Sequence, residues 1–318
     1  MIELHPRAAR ALEIAFWLLL AAAPLAFPDQ RVLLTQILIA GLFAVSLDIA
    51  LGHAGILTVG HALFFGAGAY AAGLLSSHGW GEPLSGLALS LAAGALLGWL
   101  SGFLVARAGD LARLMITIGL CLLGGELANR LSSVTGGADG LQGIDMWPVL
   151  GLFRFDMFGR TGFAYAFCVV LLAFGAVRLL LRSPFGLALR GIHANPRRMR
   201  ALGSPVDARL RQAYAISAAL AALAGALLAQ TTQFVGLEML GFNRSAEILI
   251  ILVLGGAGRL YGGMVGALLY MIAHDVFADL DPRYWMFWLG LFLIAAVLLG
   301  RGGVLGGLAR WVRVRERA

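Results

Sequence analysis

The chain has 318 residues, 60% of them hydrophobic and 13% charged, with a mean hydropathy of +0.86 and a formal net charge of +7. Soluble domains average roughly 45–50% apolar and about 25% charged, so this composition excludes a soluble globular protein and specifies an all-α, polytopic membrane protein. All 24 basic residues are arginine, which excludes a phosphate-binding loop of the G-x-x-x-x-G-K-[ST] type; if ATP drives this protein, another chain binds it.

A membrane-crossing helix needs about 20 apolar residues. In chain order that length predicts segments at 11–28, 32–51, 56–76, 84–106, 111–131, 162–181 and 212–233. The apolar stretch 246–277 is too long for one crossing and is interrupted by Gly255-Gly256-Ala257-Gly258-Arg259 and Gly262-Gly263. It reads as segments at 246–256 and 260–278, either two crossings or a re-entrant hairpin, before a last span at 284–300. The basic start at Arg7 and Arg10 is shared with signal peptides, but the following run is long and topological parity favours its retention.

With the amino terminus inside, ten segments place Arg107, Arg113, the stretch 182–211, Arg259 and the tail Arg301–Arg317 on one side. This is the cytoplasmic side by the positive-inside rule, which also accounts for the charge without any nucleic acid. Residues 1–318 thus read as one transmembrane domain with both termini cytoplasmic. The longest outer loop, 132–161, carries glycines that imply tight turns. The inner stretch 182–211 holds seven arginines against one acid, Asp207. Within it Asn195 stands as N-cap, Pro196 at the first helical position and Gly203 as stop, predicting a short helix at the membrane surface. Such a helix is a handle for a soluble partner.

Glycine is dense twice, from Gly52 through Gly60, Gly66, Gly68 and Gly73, and again from Gly255 to Gly266. Paired interrupted segments point to an internal repeat with a path at its interface, although glycine also serves plain helix packing. Ionisable residues inside the bilayer each need a reason. Asp48 reads as a hydrogen-bonded structural carboxylate near an inner end. Glu126 and Arg130, four apart with Asn129 between them, read as a same-helix ion pair or as a polar path lining. Ser245 is a plausible N-cap with Glu247 at the positive end of the helix dipole. His274 and Asp275 lie near an outer interface, and Tyr284, Trp285 and Trp288 form an aromatic belt. Cys121 and Cys168 lie within apolar spans, and His53 and His61 stand eight apart, so neither a disulfide nor a metal site is expected. No catalytic constellation is apparent, and an enzyme is not expected.

Three blocks carry a resemblance. They are Ser46-Leu47-Asp48 with Leu51-Gly52-His53-Ala54-Gly55 and Gly60-His61-Ala62 through Tyr70; Leu131 through Ile144, around Thr135-Gly136-Gly137-Ala138-Asp139-Gly140; and Ser183-Pro184-Phe185-Gly186 through Ile192, continuing to Asn195 and Gly203. Glu247-Ile248-Leu249 and Val253 through Gly258 fit as well. In this order the blocks resemble the LivM-type permease subunit of branched-chain amino acid ABC importers, a family with urea and amide relatives. The resemblance implies an ABC importer permease fold in a bacterial inner membrane and a sister permease forming a heterodimer. It also implies two ATP-binding cassette subunits inside, a periplasmic binding protein outside, and no cofactor beyond the ATP held by those partners. Arg190, Asn195, Arg197, Arg198, Met199, Arg200, Leu202 and Gly203 would then dock the ATPase, and Gly60, His61, Gly66, Gly68, Glu126 and Glu247 would line the translocation path. The cargo implied by the resemblance is a branched-chain amino acid, urea, an amide or an aromatic acid. An ion-coupled secondary transporter or a small-solute channel is the alternative. Departures from the family pattern are the arginine-rich docking segment without an acid between Asn195 and Gly203, and His53 where an aromatic is expected.

Overall fold

A computed structural model of the chain describes residues 6–149, 151–156, 159–299, 302–304 and 306; the tail arginines Arg301–Arg317 lie outside these, and the side chains of Arg7 and Arg10 are likewise outside. In a bilayer every backbone N–H and C=O needs a partner within the protein, and a helix supplies it locally. The apolar runs accordingly form α1 (Pro6–Ala26), α2 (Arg31–Asp48), α3 (Ala62–Ser77), α4 (Pro83–Arg107), α5 (Asp110–Arg130), the single turn α6 (Ser132–Thr135) and α7 (Arg160–Arg182). Then follow α8 (Pro184–Ala194), α9 (Pro196–Ala201), α10 (Val206–Thr232), α11 (Phe242–Gly255), α12 (Gly262–Leu280) and α13 (Trp285–Leu299). Ten of these helices fall on the ten predicted segments, and the described residues form only two isolated β-bridges.

The alanine-rich α10 is the central post, almost wholly buried, with α2 beside it. Small residues let backbones approach closely where no hydrophobic force drives helices together. A methyl group added at Gly225 would come within 1.8 Å of the Phe65 carbonyl oxygen, and one at Gly68 within 2.0 Å of the Ala222 carbonyl oxygen. Helix α4 presses on the same post through Gly94 and Gly98, against Ala222 and Ala218. Helices α5, α7 and α12 form a more exposed shell. An ion pair between Glu13 and Arg178 pins α1 to α7.

Helices α11 and α12 form an antiparallel hairpin, with Gly266 packed against Ile251 and Gly262 against Gly255. The 14 residues of α11 span roughly 21 Å at 1.5 Å per residue, short of the ~30 Å hydrocarbon core. The loop expected on the outer side makes tight turns, with positive φ at Gly136, Gly137, Gly140 and Gly143. It is stitched to the chain at the C-terminal ends of α3 and α10. Leu141 and Val235 exchange backbone hydrogen bonds of 2.8 and 3.3 Å, and the Ser76 hydroxyl donates to the Asp145 carbonyl at 2.7 Å.

One predicted helix is corrected. The segment expected at 56–76 is helical only from Ala62, because residues 54–61 run as irregular backbone whose amides find other partners.

Candidate functional site

The irregular stretch is the first of two breaks in the helical framework. Helix α2 widens past Asp48 into a π-turn, Ile49–His53, where the Ala54 amide donates to the Ile49 carbonyl at 3.0 Å. Single π-turns mark functional sites more often than chance. Gly55, at φ +70°, then turns the chain. Beyond it the amides are served by side chains: Thr58 Oγ1 accepts from Gly60 and Thr117 Oγ1 from Val59, both at 3.3 Å, and Ser245 Oγ accepts from Ala62 at 2.8 Å. Ser245 therefore does not cap its own helix. Helix α11 starts at Phe242 after Gly241, and the Ser245 hydroxyl serves the start of α3 instead.

His61 closes this break in full burial, between Phe43, Phe64 and Tyr214. Its Nε2 lies 2.8 Å from Ser217 Oγ, whose proton goes to the Ser46 carbonyl. The hydroxyl can then only accept from the ring, so Nε2 carries the hydrogen and Nδ1 is a bare acceptor. Nδ1 has no partner among the described residues.

The second break is the α11–α12 turn, where Gly256 and Gly258 take φ of +109° and +77°. The two breaks meet. The buried Asp48 carboxylate accepts the Gly258 amide at 2.6 Å, 210 positions away in sequence, and its other oxygen is 3.4 Å from His53 Nδ1. Gly52 makes room for this contact, since a methyl group there would lie 2.1 Å from Asp48 Oδ1 and 2.4 Å from the Gly258 nitrogen. The same turn holds the chain after α13, with Arg259 donating to the Gly302 carbonyl at 3.0 Å.

Of the residues expected along a path, Gly60 abuts the Thr117 backbone, Gly66 the Leu240 side chain and Gly68 the Ala222 backbone, all as close contacts around α3. Glu247 is half-buried and paired with Arg244 at 2.8 Å, whose guanidinium lies over Phe65. Gly60 adjoins His61 at the end of the first break, and Gly66 and Gly68 follow on α3. Glu126 stands apart on the exposed side of α5, paired with Arg130 at 2.7 Å, beside the uncovered Gly119 and Gly125. The Glu13–Arg178 pair is not among the sequence-based expectations, although a lone acid and a lone arginine in two apolar runs signal it.

The arginine-rich stretch folds as an elbow of two helices. Asn195 caps α9, its Oδ1 accepting from the Arg198 amide at 3.0 Å, and Gly203 ends it at φ +80°. Arg197, Arg198 and Leu202 are exposed, and Arg200 pairs with Asp207 at 2.8 Å. The preceding α8 buries Gly186, Leu189 and Ile192 on one face. On the other, Leu187, Arg190 and the partly buried Met199 line an open groove of about 630 Å³. The His193 ring rests against Gly55, at van der Waals distance from where a methyl group would stand. The elbow thus touches the first break, and Asp48 links that break to the second.

Comparison with known proteins gives this arrangement a family. The model of the branched-chain amino acid transport system permease component matches residues 32–298. The high-affinity branched-chain amino acid transport system permease protein LivM of Salmonella typhimurium is 30% identical over 302 residues, covering 85% of this chain and 68% of that protein. LivM of Escherichia coli is 30% identical over 295 residues, covering 83% and 67%. A probable branched-chain amino acid transport permease protein, LivH of Methanocaldococcus jannaschii, is 28% identical over 205 residues, covering 61% and 62%. No solved structure matches significantly. The chain belongs to this family of transport permeases.

Proposed function

We propose that this permease is the membrane-spanning subunit of an ABC importer that carries branched-chain amino acids, or a related small solute, into the cytoplasm. The multi-pass helical fold and the family match support transport. The inner-membrane location with cytoplasmic termini rests on the arginine distribution. Separate ATPase subunits would dock on the α8–α9 elbow, a periplasmic binding protein on the cover formed by 132–161, and a sister permease on the exposed face of α5. That face pairs open glycines with Glu126 and Arg130, a combination better suited to a protein or aqueous neighbour than to lipid.

The observation that carries the mechanism is the continuity from elbow to breaks. ATP-driven closure of the docked subunits displaces α9, and α8 transmits the movement through His193 to Gly55 and the π-turn. The Asp48–Gly258 hydrogen bond then engages the α11–α12 hairpin, so both breaks shift together. Rigid-body motion of packed helices about such hinges switches which side the path faces. Gly60, His61, Gly66, Gly68 and Glu247 would line the path that this motion opens and seals, a reading supported by the position of Gly60 and His61 at the first break.

Leu202→Glu and Arg198→Glu should leave the assembled complex hydrolysing ATP while solute uptake into proteoliposomes collapses. Uptake at the wild-type ratio to hydrolysis would sink the docking assignment. Accumulation of labelled leucine, urea or benzoate that requires internal ATP identifies the cargo, whereas equal flux without ATP favours a channel or a secondary carrier.

A further inference from the structure

Where α4 and α10 reach the arginine-rich side, a basic pocket stands away from the breaks and meets the elbow through the Arg200–Asp207 pair. The stem of Arg211 passes over Gly102, where an added methyl group would meet its Cγ at 3.0 Å. Its guanidinium carbon lies 4.4 Å from the Trp99 ring centroid and 4.1 Å from that of Phe103. The two rings stand at 86° to each other, so the guanidinium can lie flat on one of them and turns an edge toward the other, which holds it in place while donors on its remaining edge stay open. Arg211 makes no ion pair among the described residues, and its Nε is buried without a hydrogen-bond partner. Arg107, one turn beyond Phe103, is exposed and also forms no ion pair among them. The two arginines border a cavity of about 100 Å³, shared with Phe103, Ala106, Asp207 and Ala208. Its acid is already engaged, since Asp207 accepts from Arg200 at 2.8 Å.

We propose that this pocket binds the phosphate of an anionic phospholipid in the cytoplasmic leaflet. Trp99 lies eight residues inside the end of α4, roughly 12 Å along the axis. The stacked guanidinium is therefore held below the level of Arg107, where an unpaired charge is costly. A phosphate matches the arginine fork in charge and geometry. The pocket opens beside Leu100 and Leu104, both exposed, an apolar strip on which an acyl chain can lie. Free phosphate has nothing to place there, so the occupant is a lipid. The site rests on the inward placement of the arginine-rich face and is independent of the cargo.

The test uses the full chain in the complex it forms, placed in nanodiscs containing phosphatidylcholine with or without phosphatidylglycerol. Bound lipid is counted by native mass spectrometry. Phosphatidylglycerol should be retained selectively by the wild type, about five-fold less by Arg107→Gln and about thirty-fold less by Arg107→Gln/Arg211→Gln. Arg211→Lys, which keeps the charge and loses the fork, should fall between. If the double variant fails to assemble, Arg107→Gln alone decides the matter, because that side chain is exposed. Equal retention by wild type and variants, or no selective retention by the wild type, overturns the proposal. So does thermal stabilisation by inorganic phosphate equal to that by phosphatidylglycerol, which would make this a plain anion site. Uptake by the same variants reconstituted in proteoliposomes reports separately on the transport reading.

Discussion

The two breaks solve one problem by opposite means. Around 54–61 the chain leaves helical geometry over eight residues, and hydroxyls from its own segment, α5 and α11 take up the freed amides. The α11–α12 turn is shorter and relies on glycine conformation, with little side-chain support beyond Asp48. The first is secured by specific hydrogen bonds and is sensitive to chemistry. The second is secured by backbone freedom and is sensitive to bulk. Asp48 belongs to the first and holds the second, so it is where the two can be uncoupled.

The largest effect should come from crowding the junction. Gly52→Val would push side-chain carbon into both Asp48 and the Gly258 backbone, and backbone cannot swing aside as a side chain can. A loss of about 3 kcal/mol or more is expected, read as failure of the complex to survive mild heating in detergent. A variant that melts like the wild type would show that the breaks do not touch.

Removing the link without crowding should cost less. Asp48→Ala removes the charged acceptor of the Gly258 amide, a loss of about 1.5–3 kcal/mol for a hydrogen bond to a charged group. Asp48→Asn retains an acceptor and should recover part of the melting temperature. If the asparagine variant keeps stability but loses uptake at unchanged ATP hydrolysis, the link transmits motion as well as holding shape.

Two milder substitutions separate the strategies. Ser245→Ala orphans the Ala62 amide at about 1 kcal/mol, and Ser245→Cys, a weaker acceptor, should not restore it. Gly258→Ala meets only the Gly52 carbonyl, 3.5 Å away, so its cost is conformational, about 1–2 kcal/mol for φ of this sign. Additive losses in the double variant would confirm that the breaks are supported independently. The smallest effect belongs to Glu126→Gln on the exposed side of α5, where the melting temperature of the isolated chain should not move. A change in uptake there, with stability and pairing with the sister permease unchanged, would assign Glu126 to the path.

Much was legible in the linear chain. The ten segments follow from the bilayer's demand for locally paired backbone, and α9 follows from Asn195, Pro196 and Gly203, whose capping chemistry acts within a few residues. The resemblance carried by Gly52 through Tyr70 and Ser183 through Gly203 led to the family. Three features were not legible. The run 56–61 is as apolar as a helix, so hydropathy cannot reveal that it is unwound; that depends on Thr117 and Ser245 arriving from other helices. Helix α8 was hidden because its buried face is defined by the helices it meets. Asp48 reads as a structural carboxylate, but its partner lies 210 residues away.

Composition and local capping determined that this is a multi-pass helical protein with an arginine-rich elbow, because hydrophobicity, charge and helix ends act over short stretches of chain. The meeting of the two breaks, the tautomer of His61 and the stacked Arg211 were decided only by tertiary packing, because each depends on groups brought together from distant segments.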